Sequence, residues 1–202
     1  MDKIQQLVKI EDYVYNLFHD DTTGHDYYHM KRVAKMAKFI SLEEHGDSFI
    51  SEAAGWLHDV GDKKLFDKPE KALKEMDAFL KDIQIDDKEI VGIKIAMSDV
   101  SFSEGDKTPI TLEGKIVQDA DRLDALGAIG IARTFAYGGA HNQLIYHLEK
   151  HNGTSIQHFY KKLLLLSEKM NTNTGRNLAR RRHNFMIEFL DKFDEEWEEW
   201  IE

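Results

Sequence analysis

Apolar residues recur at three- and four-residue intervals along most of the chain, and alternation at two is nowhere sustained, so the pattern predicts helices and no sheet. Ile4, Leu7, Val8, Tyr13, Val14, Leu17 and Phe18 share one face of a first helix, which gives way to the polar run Asp20, Asp21, Thr22, Thr23, Gly24. A second helix is expected from about Asp26 to His45 with Gly46 as its stop, and a third from near Asp47 to Val60, broken by Gly61. The third is small or apolar for most of its length, which suits a central position.

Pro69 fits the first turn of a fourth helix, where its missing donor is not needed, and Ala72, Leu73, Met76, Phe79 and Leu80 continue the spacing. Asp86 followed by Glu89 resembles a capping box for a fifth helix through Met97, and Ser98 to Pro109 is a polar loop of the kind that borders sites. One long helix is expected from about Thr111 to Tyr137, rich in Ala and Gly that allow close packing. Two more are suggested near Thr154 to Met170 and Gly175 to Ile201. No domain boundary, repeat or low-complexity linker stands out. The expectation is an all-α, single-domain bundle of about seven or eight helices over residues 1–202.

With 202 residues, 42% of them hydrophobic, the chain can bury a core of its own. It has no cysteine, which excludes disulfides and thiolate zinc sites and leaves metal binding to His and carboxylates. The first residues alternate charges with apolar side chains, and no run of about 18 apolar residues occurs, so a soluble cytoplasmic protein with no membrane partner is expected. A net charge of −10 opposes binding to nucleic-acid polymers. Much of that charge lies in Asp194 to Glu202, just after the basic residues Arg176, Arg180, Arg181 and Arg182, so a small anionic substrate stays compatible with it.

Four pieces of sequence carry chemistry: Gly24-His25-Asp26-Tyr27-Tyr28-His29 with Arg32-Val33; Trp56-Leu57-His58-Asp59-Val60-Gly61-Asp62-Lys63; Gln118-Asp119-Ala120-Asp121-Arg122-Leu123-Asp124; and Arg133. On a helix His29 shares its side with Val33, Met36, Ala37 and Ile40, so its imidazole points along the apolar stripe. His58 and Asp59 end the mostly apolar third helix, and Asp121 lies beside Val117 and Ala125. Inward carboxylates and imidazoles need pairing or a metal, because an isolated buried charge is costly. Two imidazoles and two carboxylates suit Mn²⁺, Fe²⁺, Co²⁺, Ni²⁺ or Zn²⁺. A bound ion of this kind acidifies water at neutral pH.

The order His, His-Asp, Asp, with the first as His29-x-x-Arg32-Val33 and the last within Asp-Ala-Asp-Arg-Leu-Asp, resembles the HD-domain phosphohydrolase superfamily over roughly residues 24–133. The flanks are similar to those of small bacterial single-domain HD hydrolases acting on nucleotides. That resemblance implies His29, His58, Asp59 and Asp121 as ligands of one divalent ion, with Mn²⁺ favoured and Mg²⁺, Ni²⁺, Co²⁺, Fe²⁺ or Zn²⁺ as alternatives. It also implies a nucleotide phosphohydrolase, with a preference for nucleoside triphosphates cleaved to monophosphate and pyrophosphate. The rivals are a nucleoside monophosphate phosphatase and a non-catalytic metal- or nucleotide-binding module.

Asp62 and Lys63, just past the ligands, suit water orientation and phosphate neutralisation, although a cap or solvated pair explains them equally. His25 and Asp26 are placed at the rim of the site, and Arg32 and Arg133 are candidates to hold the phosphate chain. Asp119 and Asp124 read as structural. His147 and His151 are four apart but lack a third ligand, and read as exposed. Phe185, Phe189, Phe193, Trp197 and Trp200 read as a packing stripe, an exposed part of which could serve a homodimer. Between Asp59 and Asp121 there is no histidine. Dinuclear members of the superfamily need extra His ligands there, so a single ion is expected, completed otherwise only by carboxylates such as Asp62, Asp99 or Glu113.

Overall fold

The computed structural model describes residues 1–22, 24–98, 100, 107–148 and 153–198. Asp99, His151 and Trp200 therefore lie outside the described residues, as does the end of the last expected helix. Every regular element among the described residues is helical: α1 Lys3–Phe18, α2 Tyr27–Glu43, α3 Ser48–Leu57, α4 Pro69–Asp82, α5 Asp87–Met97, α6 Leu112–Asp124, α7 Gly127–Ala140, α8 Ser155–His158 and α9 Asn173–Glu198. None is long and apolar enough to cross a membrane. By its internal contacts the chain falls into two compact units, Met1–Asp121 and Arg122–Glu202.

Four of the helix starts in the first unit are set by aspartates. Asp2, Asp26, Asp47 and Asp86 each precede a helix and accept a first-turn N–H, satisfying a donor the helix itself cannot. Glu89 does not close a box with Asp86; it pairs with Lys3 of α1 instead. The helix ends differ from the expected ones. α2 stops at Glu43, and His45 itself takes the left-handed turn, φ 59°, while the Gly46 N–H returns to the Ser41 carbonyl at 2.9 Å. Gly46 is needed for space, since a Cβ there would come within 2.9 Å of Ile116 Cδ1 in α6. α3 ends at Leu57, and tight turns carry the chain through His58 to Gly61, φ 85°. A Cβ on Gly61 would meet Leu73 Cγ at 2.7 Å, so glycine also lets α4 close on this turn.

The core of this unit is α2 packed on α3, with α1 and α5 against α3. Gly55 makes the α2–α3 approach possible: a Cβ there would lie 2.8 Å from the Cα of Ala34 and 3.3 Å from the Cβ of Ala37. Ile10, Val14, Met30, Val33, Ala53, Trp56, Leu57, Ile93 and Ile116 are buried around that contact.

The expected long helix from Thr111 to Tyr137 is two helices. Leu126 is extended, φ −114° and ψ 156°, and Gly127 has φ 73°, so the chain turns a corner between α6 and α7. The corner is tight: a Cβ on Gly130 would fall 2.2 Å from the Ala125 carbonyl oxygen. Apolar spacing continues across it because both helices bury a face, which is why periodicity alone does not show it.

In the second unit α9 packs on α7 and on a 3₁₀ stretch, Leu164–Lys169, which follows α8 through one π-helical turn, Phe159–Leu163. Phe135, Phe159 and Phe189 cluster at centroid distances of 5.8 to 6.0 Å. Phe193 and Trp197 continue the stripe against Tyr146. Part of the basic cluster is structural, since Arg176 donates to the Met170 and Asn171 carbonyls at 3.0 Å and Arg182 to that of Leu123.

Candidate metal centre

Three helix ends of the first unit bring four side chains together. His29 is in the first turn of α2, where the Asp26 carboxylate accepts its N–H at 2.7 Å. His58 and Asp59 follow the last residue of α3, and Asp121 is in the last turn of α6. His29 Nε2 lies 3.7 Å from Asp59 Oδ2 and 3.5 Å from Asp121 Oδ1. His58 Nε2 lies 3.5 Å from Asp59 Oδ1 and 3.8 Å from Asp121 Oδ1. These separations exceed those of good hydrogen bonds. They are close to the edge of a tetrahedron about one ion, roughly 3.4 Å for bonds of about 2.1 Å.

The tautomer of His58 follows from its other nitrogen. Nδ1 is 2.9 Å from the Gly55 carbonyl oxygen, and a carbonyl can only accept, so Nδ1 carries the hydrogen. In the neutral imidazole Nε2 is then a bare acceptor. It is buried, and no hydrogen-bond donor reaches it among the described residues. A buried lone pair aimed at two carboxylates is costly without a cation; His29, His58 and Asp121 offer donor atoms within 4.8 Å of one another, a set that fits a divalent ion, with Asp59 beside it. Burial by itself would raise the pKa of Asp59. Positive charge on the His58 ring, the hydrogen bond from His25 and positive charge on the His29 ring act the other way and would hold the carboxyl below the ordinary range; with His58 and His29 neutral, as metal binding requires, the His25 hydrogen bond is what favours the anion. His29 is fully buried and Asp121 is 27% exposed, which leaves the carboxylate of Asp121 on the open side of the cluster.

The neighbours are distributed as follows. His25, expected at the rim, is 39% exposed and touches the cluster from its edge: its Nδ1 donates to Asp59 Oδ2 at 2.7 Å, and its ring stands edge-on to His29 at 5.5 Å. His25, His29 and Asp59 thus form a second, overlapping group of donors. The signal for His25 was weak because it precedes α2 in a turn at Gly24, φ 97°, where no helical periodicity points it inward. Asp26 caps α2. Arg32 is half-buried one turn beyond His29. Asp62 organises the turn that follows, accepting the Lys64 N–H at 2.8 Å through Oδ1 and those of Leu65 and Phe66 at 3.0 Å through its carbonyl. Lys63 is exposed.

In the second unit Arg133 donates to Asp124 Oδ2 at 2.9 Å, an ion pair that ties α7 to the end of α6. Asp119 and Asp124 are both buried. The carbonyl of Gly55 is the contributor that the sequence did not mark, because a backbone acceptor has no residue type to announce it.

The chain has relatives among known proteins. The family model of the HD domain matches residues 26–126. The chain is 37% identical over 199 residues to the Bacillus subtilis protein YpgQ, covering 97% of this chain and 96% of that protein. The crystal structure of YpgQ in complex with ADP matches with a TM-score of 0.84 at 35% identity, covering 97% of each chain. An HD-superfamily hydrolase from Bacillus thuringiensis matches with a TM-score of 0.81 at 40% identity, covering 97% of this chain and 98% of that one. The Lin1889 protein of Listeria innocua matches at 0.83 and 36%, covering 100% of both.

Proposed function

The chain belongs to the HD-domain family, and we propose that it is a metal-dependent phosphohydrolase that cleaves nucleoside triphosphates to the monophosphate and pyrophosphate. The observation that carries the reading is the buried Nε2 of His58, held bare by the Gly55 carbonyl and facing the Asp59 and Asp121 carboxylates. The nucleotide comes from YpgQ, whose crystal structure holds ADP.

On this reading His29, His58, Asp59 and Asp121 hold one divalent ion, Mn²⁺ being favoured. When bound, it supplies a positive charge beside a phosphoryl oxygen and acidifies a water. The protein's own groups do the rest. Asp59, whose carboxylate accepts from His25, supplies negative charge to the cation at neutral pH. His25 holds Asp59 in place through Oδ2. Asp62 orients the turn that presents Lys63, whose ammonium answers charge developing on the phosphate chain. Arg32 is a second donor for that chain.

The test is turnover of several nucleotides by Mn²⁺-loaded protein with products followed by ³¹P NMR. Pyrophosphate and a nucleoside monophosphate are expected. Orthophosphate released from monophosphates would move the assignment to a phosphatase. Metal binding with no turnover of any nucleotide would leave a binding module. Asp59→Ala is expected to lose metal and activity together, and full turnover by that variant would remove the site assignment.

A further inference from the structure

The helix ends at the centre are not electrically alike. α3 delivers His58 and Asp59 just past its last residue, and Asp121 comes from the last turn of α6, where free carbonyls give a helix its negative pole. α2 does the opposite. His29 is in its first turn, so the amide end of a 17-residue helix, its positive pole, lies beside the place where a cation would sit. A cation is repelled from that pole unless an anion stands with it.

That anion is Asp26. It precedes α2 with extended backbone, φ −75° and ψ 169°; its Oδ1 accepts the N–H of His29 at 2.7 Å and its carbonyl that of Met30 at 3.2 Å. The carboxylate is thus fastened to the backbone of the one ligand that α2 supplies. Glu11 and Glu52 nearby along α2 are each paired with lysines, whereas no Lys or Arg neutralises Asp26 among the described residues. An aspartate before a helix is most often only a cap. Asp2, Asp47 and Asp86 are of that kind, since the first turns of α1, α3 and α5 hold no member of the His–Asp cluster. Asp26 differs from them in what its helix start faces.

We propose that Asp26 is a positioning residue for the ion that sets its affinity by charge: it holds His29 through the backbone and cancels the positive pole of α2, without being a ligand. The inference rests on the reading that the cluster binds a divalent ion. Cap and charge separate by substitution. Asn and Ser accept a first-turn N–H about as well as Asp but carry no charge. Asp26→Asn and Asp26→Ser therefore keep the start of α2 and leave its positive pole facing the cation.

The experiment is Mn²⁺ binding by the full chain, measured in competition with a chromophoric chelator, beside urea melts of the metal-free protein. Asp86→Asn is the control. It makes the same change of net charge at the cap of α5, whose Glu89 pairs with Lys3, and Lys3 lies over Phe49 at the start of α3, the end opposite His58. Metal-free melts close to that of the parent are expected for all three variants. Mn²⁺ affinity should fall by about 3- to 30-fold in both Asp26 variants and stay unchanged in Asp86→Asn. Parent-like affinity in the Asp26 variants overturns the proposal and leaves Asp26 a helix cap. An equal fall in Asp86→Asn also overturns it, by tracing the effect to net charge. If both neutral caps unfold the metal-free chain, the carboxylate serves stability and the proposal fails again. A parent that binds no Mn²⁺ would remove the metal reading itself, an outcome distinct from a parent that binds and variants that bind equally well.

Discussion

The Gly55 carbonyl oxygen stands 2.9 Å from Nδ1 of His58, so one residue both admits α2 against α3 and decides which nitrogen of the imidazole faces the centre. The two roles are linked. The missing side chain of Gly55 lets Ala34 approach, which carries His29 of the same helix toward His58, with their rings 5.2 Å apart.

Gly55→Ala tests this directly. Helix propensity alone would make the change stabilising by about 1 kcal/mol. The new Cβ would lie 2.8 Å from Ala34 Cα, a backbone atom that cannot swing aside, and overpacking of that kind costs about 1–3 kcal/mol. Net destabilisation is expected in urea melts, together with weaker metal binding as His29 and His58 are forced apart. A more stable variant with unchanged metal affinity would contradict the account.

His25→Ala removes the hydrogen bond to Asp59 without removing any of the four proposed ligands. Loss of such a supporting contact costs about 10- to 100-fold in metal affinity, so one ion per chain is expected, bound more weakly. Elemental analysis gives the stoichiometry and competition with a chelator the affinity. Unchanged affinity would mean that Asp59 holds its position unaided. Complete loss of metal would put His25 among the ligands.

Lys63→Ala is expected to lower nucleotide turnover by about 10- to 1000-fold while leaving bound metal unchanged, the pattern for loss of one donor to developing charge. Unchanged kcat and KM would return Lys63 to the solvated surface.

Glu11 links α1 to the start of α2, accepting from Tyr27 Oη at 2.6 Å and Lys31 Nζ at 2.9 Å. Burial pushes its pKa up, but the Tyr27 hydroxyl and the Lys31 ammonium together pull it below the usual 4.5. The unfolded chain then binds the proton more readily, so the stability gained is fully present above 4.5 and is lost as pH falls through the lower folded value. Glu11→Gln should cost under about 1 kcal/mol at pH 7, and the difference from the parent should shrink below the unfolded pKa. Denaturant melts at both pH values check it, and a pH-independent difference would assign the effect to shape.

Much of this was legible in the sequence because it rests on residue type. Aspartates mark the starts of α1, α2, α3 and α5, and the spacing of His29, His58, Asp59 and Asp121 placed imidazoles and carboxylates on apolar faces. The misread features depend on backbone geometry. The corner at Gly127 is hidden because apolar spacing runs through it, and α2 stops at Glu43, with His45 rather than Gly46 in the left-handed turn. The bond from His25, expected at the rim, to Asp59 is not announced because a turn residue carries no facing information. Arg133, sought for phosphate, is engaged with Asp124, a contact between residues nine apart that helical spacing within one helix would not bring together.

Each donor of the centre sits at a helix terminus: His29 at the start of α2, His58 and Asp59 just past α3, Asp121 near the close of α6. His29 is buried and its turn is capped by Asp26, so opening short of global unfolding is expected at the uncapped turn from His58 to Asp62. Metal release and global unfolding are then separate events with separate rates. The amides around His58 to Asp62 should exchange with solvent far faster than those of Ala53 or Val33, and a bound ion would slow that exchange by stitching the turn to α2 and α6.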